Sequence, residues 1–561
     1  MIEKNEFRTQ FGANIFRYKY AQGPGDTWGK LSERLVEDVC GSRFGTLPIL
    51  MSEGDRKELV EHIKSMRFIP GGRYLYYAGR PYKAYNNCYL LRAEEDTREE
   101  WSAVTWRAMS CLMTGGGIGI DYSRLRGAGK ALARTGGTAS GPLPLMSAIN
   151  EIGRNVMQGG SRRSAIYASL NWKHDDINQF LVAKNWSELT KQQKLVDFNY
   201  PANLDMTNIS VNYDDASLGT VIYHGDNWPD ISHELADNPV FKQNVRQALE
   251  TGEPGFSFNF GSKQNETLRN ACTEVTSEDD SDVCNLGSIN MGNISSLEEF
   301  KDVVALASKF LVCGTLRADL PYEKVYKVRE KNRRLGLGLM GIHEWLLKRG
   351  QGYEVTDELH EWLKIYRDES KRAADKHCDR FFISRPIAYR AIAPTGSIGI
   401  LAGTTTGIEP LFAVAYKRRF LTEGTKWKYQ YVVDGTANTL INEYGVNPNK
   451  IESALDLSGN YEQRIKFQAS VQQYVDMSIS STINLPAWGS KYNNESKVEE
   501  FTAVLAKYAP QLRGFTCYPD GSRGGQPLTS VSYEEALSHK DTIYEEHDIC
   551  DLSGKGGTCG V

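Results

Sequence analysis

Glycine-bearing junctions recur along this 561-residue chain: TGGGIGI, TGGTASGP, QGGSRRS, GEPGFSF, LGLGLMG and APTGSIGILAGTTTGIEP. They separate stretches whose apolar spacing alternates between helix-like and strand-like. Alternating strands and helices pack as α/β layers, and the loops at their junctions are where such domains build sites. The pattern predicts a large α/β domain with a loop-built site. No internal repeat or low-complexity block competes with it.

Local signals fill in the N-terminal part. Residues 27–67 read as helical, with Leu31, Leu35 and Val36, then Leu59, Ile63 and Met66, at helical spacing. Pro70-Gly71-Gly72 breaks that pattern, and RYLYYAG reads as a turn into a strand, its aromatics serving core or interface. Residues 97–113 read as an amphipathic helix carrying Trp101, Val104, Ala108, Cys111 and Leu112 on one face. Asp96 with Glu99 resembles a capping box at its start.

Composition narrows the class. The net charge of −4 argues against a nucleic-acid protein relying on bulk positive charge, though not against a local phosphate pocket. Mean hydropathy is −0.46, and no run of ~18 apolar residues marks a membrane span. The start, MIEKNEFRTQFGANIF, lacks the apolar core of a secretory signal, so the chain is expected in the cytoplasm. Ten cysteines in a long cytoplasmic chain are not a disulfide scaffold. No CxxC occurs, so a zinc ribbon lacks support and no metal site is expected. Cys40, Cys111, Cys313 and Cys378 are expected as buried small hydrophobes.

Two motifs invite misreading. Gly336, Gly338 and Gly341 match GxGxxG, but the basic EKNRR stands before them and IHEWLLKRG continues as helix. A dinucleotide site needs a strand there and an acid after the next one, so close helix packing is the better reading. His174 has no second histidine at ligand spacing, and its neighbours Asp175 or Asp176 read as a helix cap.

One segment, RNACTEVTSEDDSDVCNLGSIN, sets Asn270, Cys272 and Glu274 at alternate positions. An extended backbone would project all three to one side. An amide that orients hydroxyls, a carboxylate that takes a proton and a thiol capable of covalent or radical chemistry make a chemical trio. With Cys284-Asn285-Leu286 it resembles the active-site loop of ribonucleotide reductases. Further segments fit that family in order: NNCYLL, TGGGIGIDYSRLRG, MQGGSRRSAI, GEPGFSF, NRRLGLGLMGIHEWLL, APTGSIGILAGTTTGIEPLFA and RGFTCYPDGSRGGQPL, then a cysteine-bearing tail. The resemblance covers roughly residues 70–561, and its specificity lies in the order of the segments.

The resemblance implies the fold and the roles. The fold would be an α/β barrel of ten strands in two half-barrels, with Cys272 on a central finger loop. Residues 1–70 would form a small helical region, 71–535 the barrel and 536–561 a flexible redox tail. Cys272 would become a thiyl radical that removes the ribose 3′ hydrogen. Glu274 would take the 3′-hydroxyl proton, and Asn270 would bond the ribose hydroxyls. Cys88 and Cys284 would be the reducing pair. Cys550 and Cys559, with Cys517 as a competitor, would shuttle electrons from a thioredoxin- or glutaredoxin-like donor. Pro394, Thr395, Gly396 and Ser397 would hold substrate phosphate, with Asn87 lining the same pocket. Asp96 and Arg126 would bind a dNTP or ATP effector, and Gln158 and Arg162 would report its identity to the substrate base. A homodimer is expected.

The radical source divides the family. One route is adenosylcobalamin, and the other is a ferritin-like metal subunit that relays through two adjacent tyrosines. Here the stretch reads Thr516-Cys517-Tyr518, which looks closer to the cobalamin-dependent class, while a route through Tyr518 stays open. The 87 residues before Cys88 leave no room for an ATP-cone, so no overall activity switch is expected. The rival functions are a catalytically silent nucleotide-binding regulator and a thiol redox enzyme unrelated to nucleotides.

Overall fold

The computed structural model describes residues 6–42, 47–156, 165–185, 217–225, 231–422, 426–520, 528–539 and 542–545. The N-terminal region is helical. Thr27 accepts from the Lys30 N–H and starts helix Trp28–Cys40, which buries Leu31, Leu35, Val36 and Val39. Helix Glu53–Lys64 follows, and the short strand β1 (Phe68–Pro70) ends the region. RYLYY then forms helix Gly72–Tyr77 rather than a strand, because its aromatic side pairs with the core: Tyr74 stacks on Tyr85 and meets Phe310.

Strands β2 (Cys88–Arg92), β3 (Gly117–Asp121), β4 (Ile166–Asn171), β5 (Ser217–Gly225) and β6 (Gly255–Phe260) run parallel in that order. Two strands of a central hairpin come next, β7 (Leu268–Arg269) and β8 (Thr276–Ser277). A second parallel set begins with β9 (Asp282–Asn290) beside β10 (Leu335–Met340). It continues through bridges from Leu337 to Arg390 and from Ile392 to Ile479, and ends with β13 (Thr482–Leu485) beside β14 (Gly514–Pro519). The halves join antiparallel at both edges, β2 to β9 and β6 to β14, so the sheet closes into the expected barrel.

Closure buries both faces of the strands. β2, β6, β9 and β10 are buried along their whole length, so CYLLR and LGLGLM show no polar alternation. Gly336 and Gly338 thus lie within β10, not in a helix-packing turn, and their role is close strand contact: a Cβ on Gly338 would stand 2.7 Å from Ala391 O. Helix Arg98–Met113 buries Val104, Ala108, Cys111 and Leu112 as expected, but its cap is Thr97, whose hydroxyl accepts from Glu100 N at 3.1 Å. Asp176 is the N-cap of helix Ile177–Leu181, but its carboxylate accepts from Ala128 N instead of capping the helix.

A smaller sheet lies apart from the barrel path: β11 (Ala415–Thr422) and β12 (Lys426–Val433) form a hairpin flanked by β15 (Leu528–Ser530) and β16 (Ile543–Glu545). The boundary expected at 536 falls within helix Tyr533–Ser538, and β16 lies beyond it.

Candidate active site

The β7–β8 hairpin carries Asn270, Cys272 and Glu274 at its tip. The tip is a tight turn, not the extended segment that the alternate spacing suggested. Thr273 N donates to Asn270 O at 3.0 Å, Thr273 has φ +70°, and the Asn270 amide oxygen accepts from Val275 N at 2.9 Å. The three side chains still converge, because the turn aims them together into one cavity of about 140 Å³. Space for the hairpin comes from the glycines of β3. A Cβ on Gly119 would lie 1.7 Å from Arg269 O, so a larger residue there would push the hairpin away.

A buried ionic cluster fixes the hairpin's base, and sequence reading missed it. The Glu266 carboxylate accepts from Thr276 at 2.8 Å and from Arg513 at 3.1 Å. Burial would raise its pKa, but Arg513, Arg334 and Lys263 outweigh that and hold it at about 2. The Asp282 carboxylate accepts from Ser277 and Arg334, each at 2.7 Å. Arg269 donates to Asn259 at 2.8 Å and to the Arg513 carbonyl at 3.0 Å. These charges come from positions scattered over 250 residues, so no local pattern signals them.

At the tip, Asn270 Nδ2 donates to Cys88 Sγ at 3.0 Å, and the Cys88 thiol points at Glu274 Oε1 at 3.7 Å. Cys88 and Cys284 are direct partners across β2 and β9. Opposed antiparallel residues have Cα atoms about 4.5–5.5 Å apart, within the span a disulfide bridges. Cys88 lines the cavity, and Cys284 is fully buried in the strand facing it. Burial pushes both thiols up, Glu274 adding to the effect at each. Burial also raises Glu274, against its bonds to Asn270 and Cys88. Its second oxygen, Oε2, is buried without a hydrogen-bond partner, as is Asn87 Oδ1. Two orphaned acceptors beside one cavity suit a ligand that brings hydroxyl donors.

The far wall is the loop Pro394–Ser397, which lines the same cavity and opens helix Gly396–Ala402. Thr395 adopts φ +49° and its hydroxyl accepts from Gly407 N at 2.8 Å. So Asn87, Cys88, Asn270, Cys272, Glu274 and the loop meet in one place.

Other expected residues lie elsewhere. Asp96 and Arg126 form an ion pair with each other at 2.5 Å, both about one-third exposed. Tyr518 sits half-buried on β14 opposite Asn484 and does not line the cavity. Cys517 is not a shuttle candidate: it is buried against helix Pro239–Thr251, its thiol on the Ala248 carbonyl at 3.5 Å and pushed up to about 12. Cys40, Cys111, Cys313 and Cys378 are buried as expected. Gln158, Arg162, Cys550 and Cys559 lie outside the described residues. Among the described residues no cluster of histidine, cysteine and acidic side chains could hold a metal ion, and no helix is long and apolar enough to cross a membrane.

Comparison with known proteins places the fold. A family model described as "Ribonucleotide reductase, barrel domain" matches residues 86–222, 224–360 and 387–517. A vitamin B12-dependent ribonucleoside-diphosphate reductase of Mycobacterium tuberculosis (strain CDC 1551 / Oshkosh) is 26% identical over 93% of this chain and 80% of its own length. Its namesake from Thermoplasma acidophilum is 25% identical, over 86% and 68%. A putative adenosylcobalamin-dependent ribonucleoside-triphosphate reductase of Mycobacterium phage D29 is 26% identical, over 79% and 71%. The crystal structure of a B12-dependent (class II) ribonucleotide reductase superposes with a TM-score of 0.66 at 16% identity, covering 96% of this chain and 95% of that one.

Proposed function

This chain belongs to the ribonucleotide reductase family and reduces ribonucleotides to 2′-deoxyribonucleotides, and we propose that it does so through a thiyl radical at Cys272. The observation that carries the reading is one cavity walled by Asn270, Cys272, Glu274 and Cys88, with Cys284 in register behind Cys88.

The steps follow from these positions. The Cys272 thiyl takes the hydrogen atom from C3′ of the ribose and becomes a thiol. Glu274, its pKa raised by burial, accepts the 3′-hydroxyl proton. The Asn270 amide, 3.0 Å from Cys88, keeps the hydroxyl-bearing face of the sugar aligned with the reducing thiol. The 2′-hydroxyl leaves as water with a proton from Cys88. Cys284 gives a hydrogen atom to C2′, the pair closes to a disulfide as its remaining electron passes to the 3′-keto carbon, and Glu274 returns its proton to the 3′ oxygen. Cys272 returns its hydrogen atom to C3′ and is a thiyl again. The balance is ribonucleotide plus dithiol to deoxyribonucleotide, disulfide and water.

The residues present fit adenosylcobalamin as the radical source. Cys272 is half-buried, whereas Cys88, Asn270 and Glu274 are at most 2% exposed, so Cys272 is the more accessible of the two cavity-lining thiols. When bound, adenosylcobalamin supplies the one-electron oxidising equivalent for that thiol. The names of the relatives support the same choice. A tyrosine relay through Tyr518 finds less support, since its neighbour is the buried thiol Cys517 and neither residue reaches the cavity wall.

The remaining roles complete the proposal. The loop Pro394–Ser397 holds substrate phosphate, with Asn87 beside it. Asp96 and Arg126, with Gln158 and Arg162, bind a dNTP effector. Cys550 and Cys559 reload the site from a thioredoxin-like donor. The chain acts in the cytoplasm as a homodimer, with a helical region, a barrel and a redox tail as its parts. The test is deoxynucleotide formation with adenosylcobalamin and a dithiol and no second subunit. Turnover must vanish in Cys272→Ser, and turnover that survives the substitution sinks the reading.

A further inference from the structure

The phosphate-holding loop has no positive charge of its own. Among the described residues, the cavity wall carries one ionisable carboxyl, Glu274, and no lysine or arginine. A phosphate chain drawn into a half-closed cleft loses hydration and needs a cation nearby.

The N-terminal segment delivers one. Arg8 anchors it at the C-cap of the loop's own helix and on two neighbouring elements. Arg8 donates to Glu344 at 2.8 Å, to the Gly403 carbonyl at 3.0 Å and to Asn293 at 3.1 Å. Helix Gln10–Ile15 then packs against helix Gly396–Ala402, so closely that a Cβ on Gly12 would stand 2.6 Å from Leu401 O. The chain continues as a π-turn, Phe16–Tyr20, a widened geometry frequent at functional sites. Fully buried Phe16 locks that turn against Phe7 and Trp28. The last two residues face the site: Tyr20 lines the cavity, and Lys19 Nζ donates to the Ser397 hydroxyl at 3.2 Å.

We propose that Lys19 is a substrate-binding residue, its ammonium bridging Ser397 Oγ and a phosphate oxygen of the ribonucleotide. The proposal rests on the reading of Pro394–Ser397 as the phosphate loop. It assigns the N-terminal segment, which lies outside the matched family region, a place in the substrate site. A lysine suits the task as a mobile point charge.

The test is calorimetric binding of CDP, CTP and cytidine to the full chain as wild type, K19A, K19R and S397A. K19A is expected to weaken CDP and CTP by ~10-fold, leave cytidine unchanged and be largely rescued in K19R. If S397A weakens the nucleotides and K19A does not, the Lys19 assignment falls and the phosphate loop stands. If neither variant changes nucleotide binding, the loop reading itself falls. An equal loss for cytidine in K19A marks a merely structural residue and overturns the proposal.

Discussion

Cys88 and Cys284 face each other as direct partners on adjacent antiparallel strands, 2% and 0% exposed. They are 196 positions apart in the chain, yet their register as opposed residues brings the Cα atoms within the span a disulfide bridges. A pair so placed, one thiol in the cavity wall and the other in register behind it, has the geometry of the proposed two-electron reductant.

This pair sets the stoichiometry of an unreloaded enzyme. With Cys550 and Cys559 both changed to Ser, substrate and adenosylcobalamin without external reductant should yield about one deoxynucleotide per active chain. Thiol titration should then show two fewer thiols, with Cys88 and Cys284 linked in a peptide map. Adding Cys284→Ser should abolish even that single turnover. Repeated turnover in the tail variant would remove the pair from its role.

The Glu274 carboxyl sets an acid limb. Burial raises its pKa, so it holds its proton to higher pH than an ordinary glutamic acid. A protonated base cannot take the 3′-hydroxyl proton, so kcat/KM should rise with pH through that raised value and then level. Glu274→Gln should lose this limb and reduce kcat by ~10²–10⁴-fold. A variant that keeps the limb would show that another group titrates.

Glu266 stabilises the finger hairpin through charge. Its folded pKa of about 2 lies below its ordinary 4.5, so the unfolded chain binds more protons in that interval. The contribution is therefore complete above about 4.5 and is lost as pH falls toward about 2. The carboxylate is 17% exposed, which keeps screening modest, and the shift corresponds to at most ~3 kcal/mol. Urea unfolding at pH 7 should show Glu266→Gln less stable than wild type, with the gap closing as the pH approaches the acid end. A gap independent of pH would point to packing instead.

Gly119→Ala tests whether backbone space at β3 positions Cys272, the proposed radical thiol. The new Cβ would collide with Arg269 O, and displacing the hairpin by ~1 Å can cost ~10²-fold in rate. Gly54→Ala, where nothing stands within 4 Å, is the control and should match wild type. Far-UV circular dichroism should stay unchanged in both. Full activity in Gly119→Ala would show that the hairpin tolerates the shift.

Much of this was legible before folding. The ordered glycine junctions and the NxCxE segment led to the barrel and to Cys272. Where the reading failed, a distant contact decided the outcome. RYLYY looks strand-like alone but is helical because Tyr74 finds Tyr85 and Phe310. Gly336 and Gly338 pass for a turn until β10 is seen packed against residues 388–392.

Residue types and their local spacing are properties of the chain, and they determined the candidates for the proposed chemistry: which thiols, which carboxylate, which amide. Tertiary structure decided the arrangement. Strand register, not sequence distance, placed Cys284 behind Cys88. A hairpin turn, not alternation, brought Asn270, Cys272 and Glu274 together. Closing the barrel gathered Glu266, Asp282, Arg334 and Arg513 beneath that turn, where low dielectric gives their charges force. Such through-space terms depend on distances that exist once the chain has folded, which is why no window of sequence contains them.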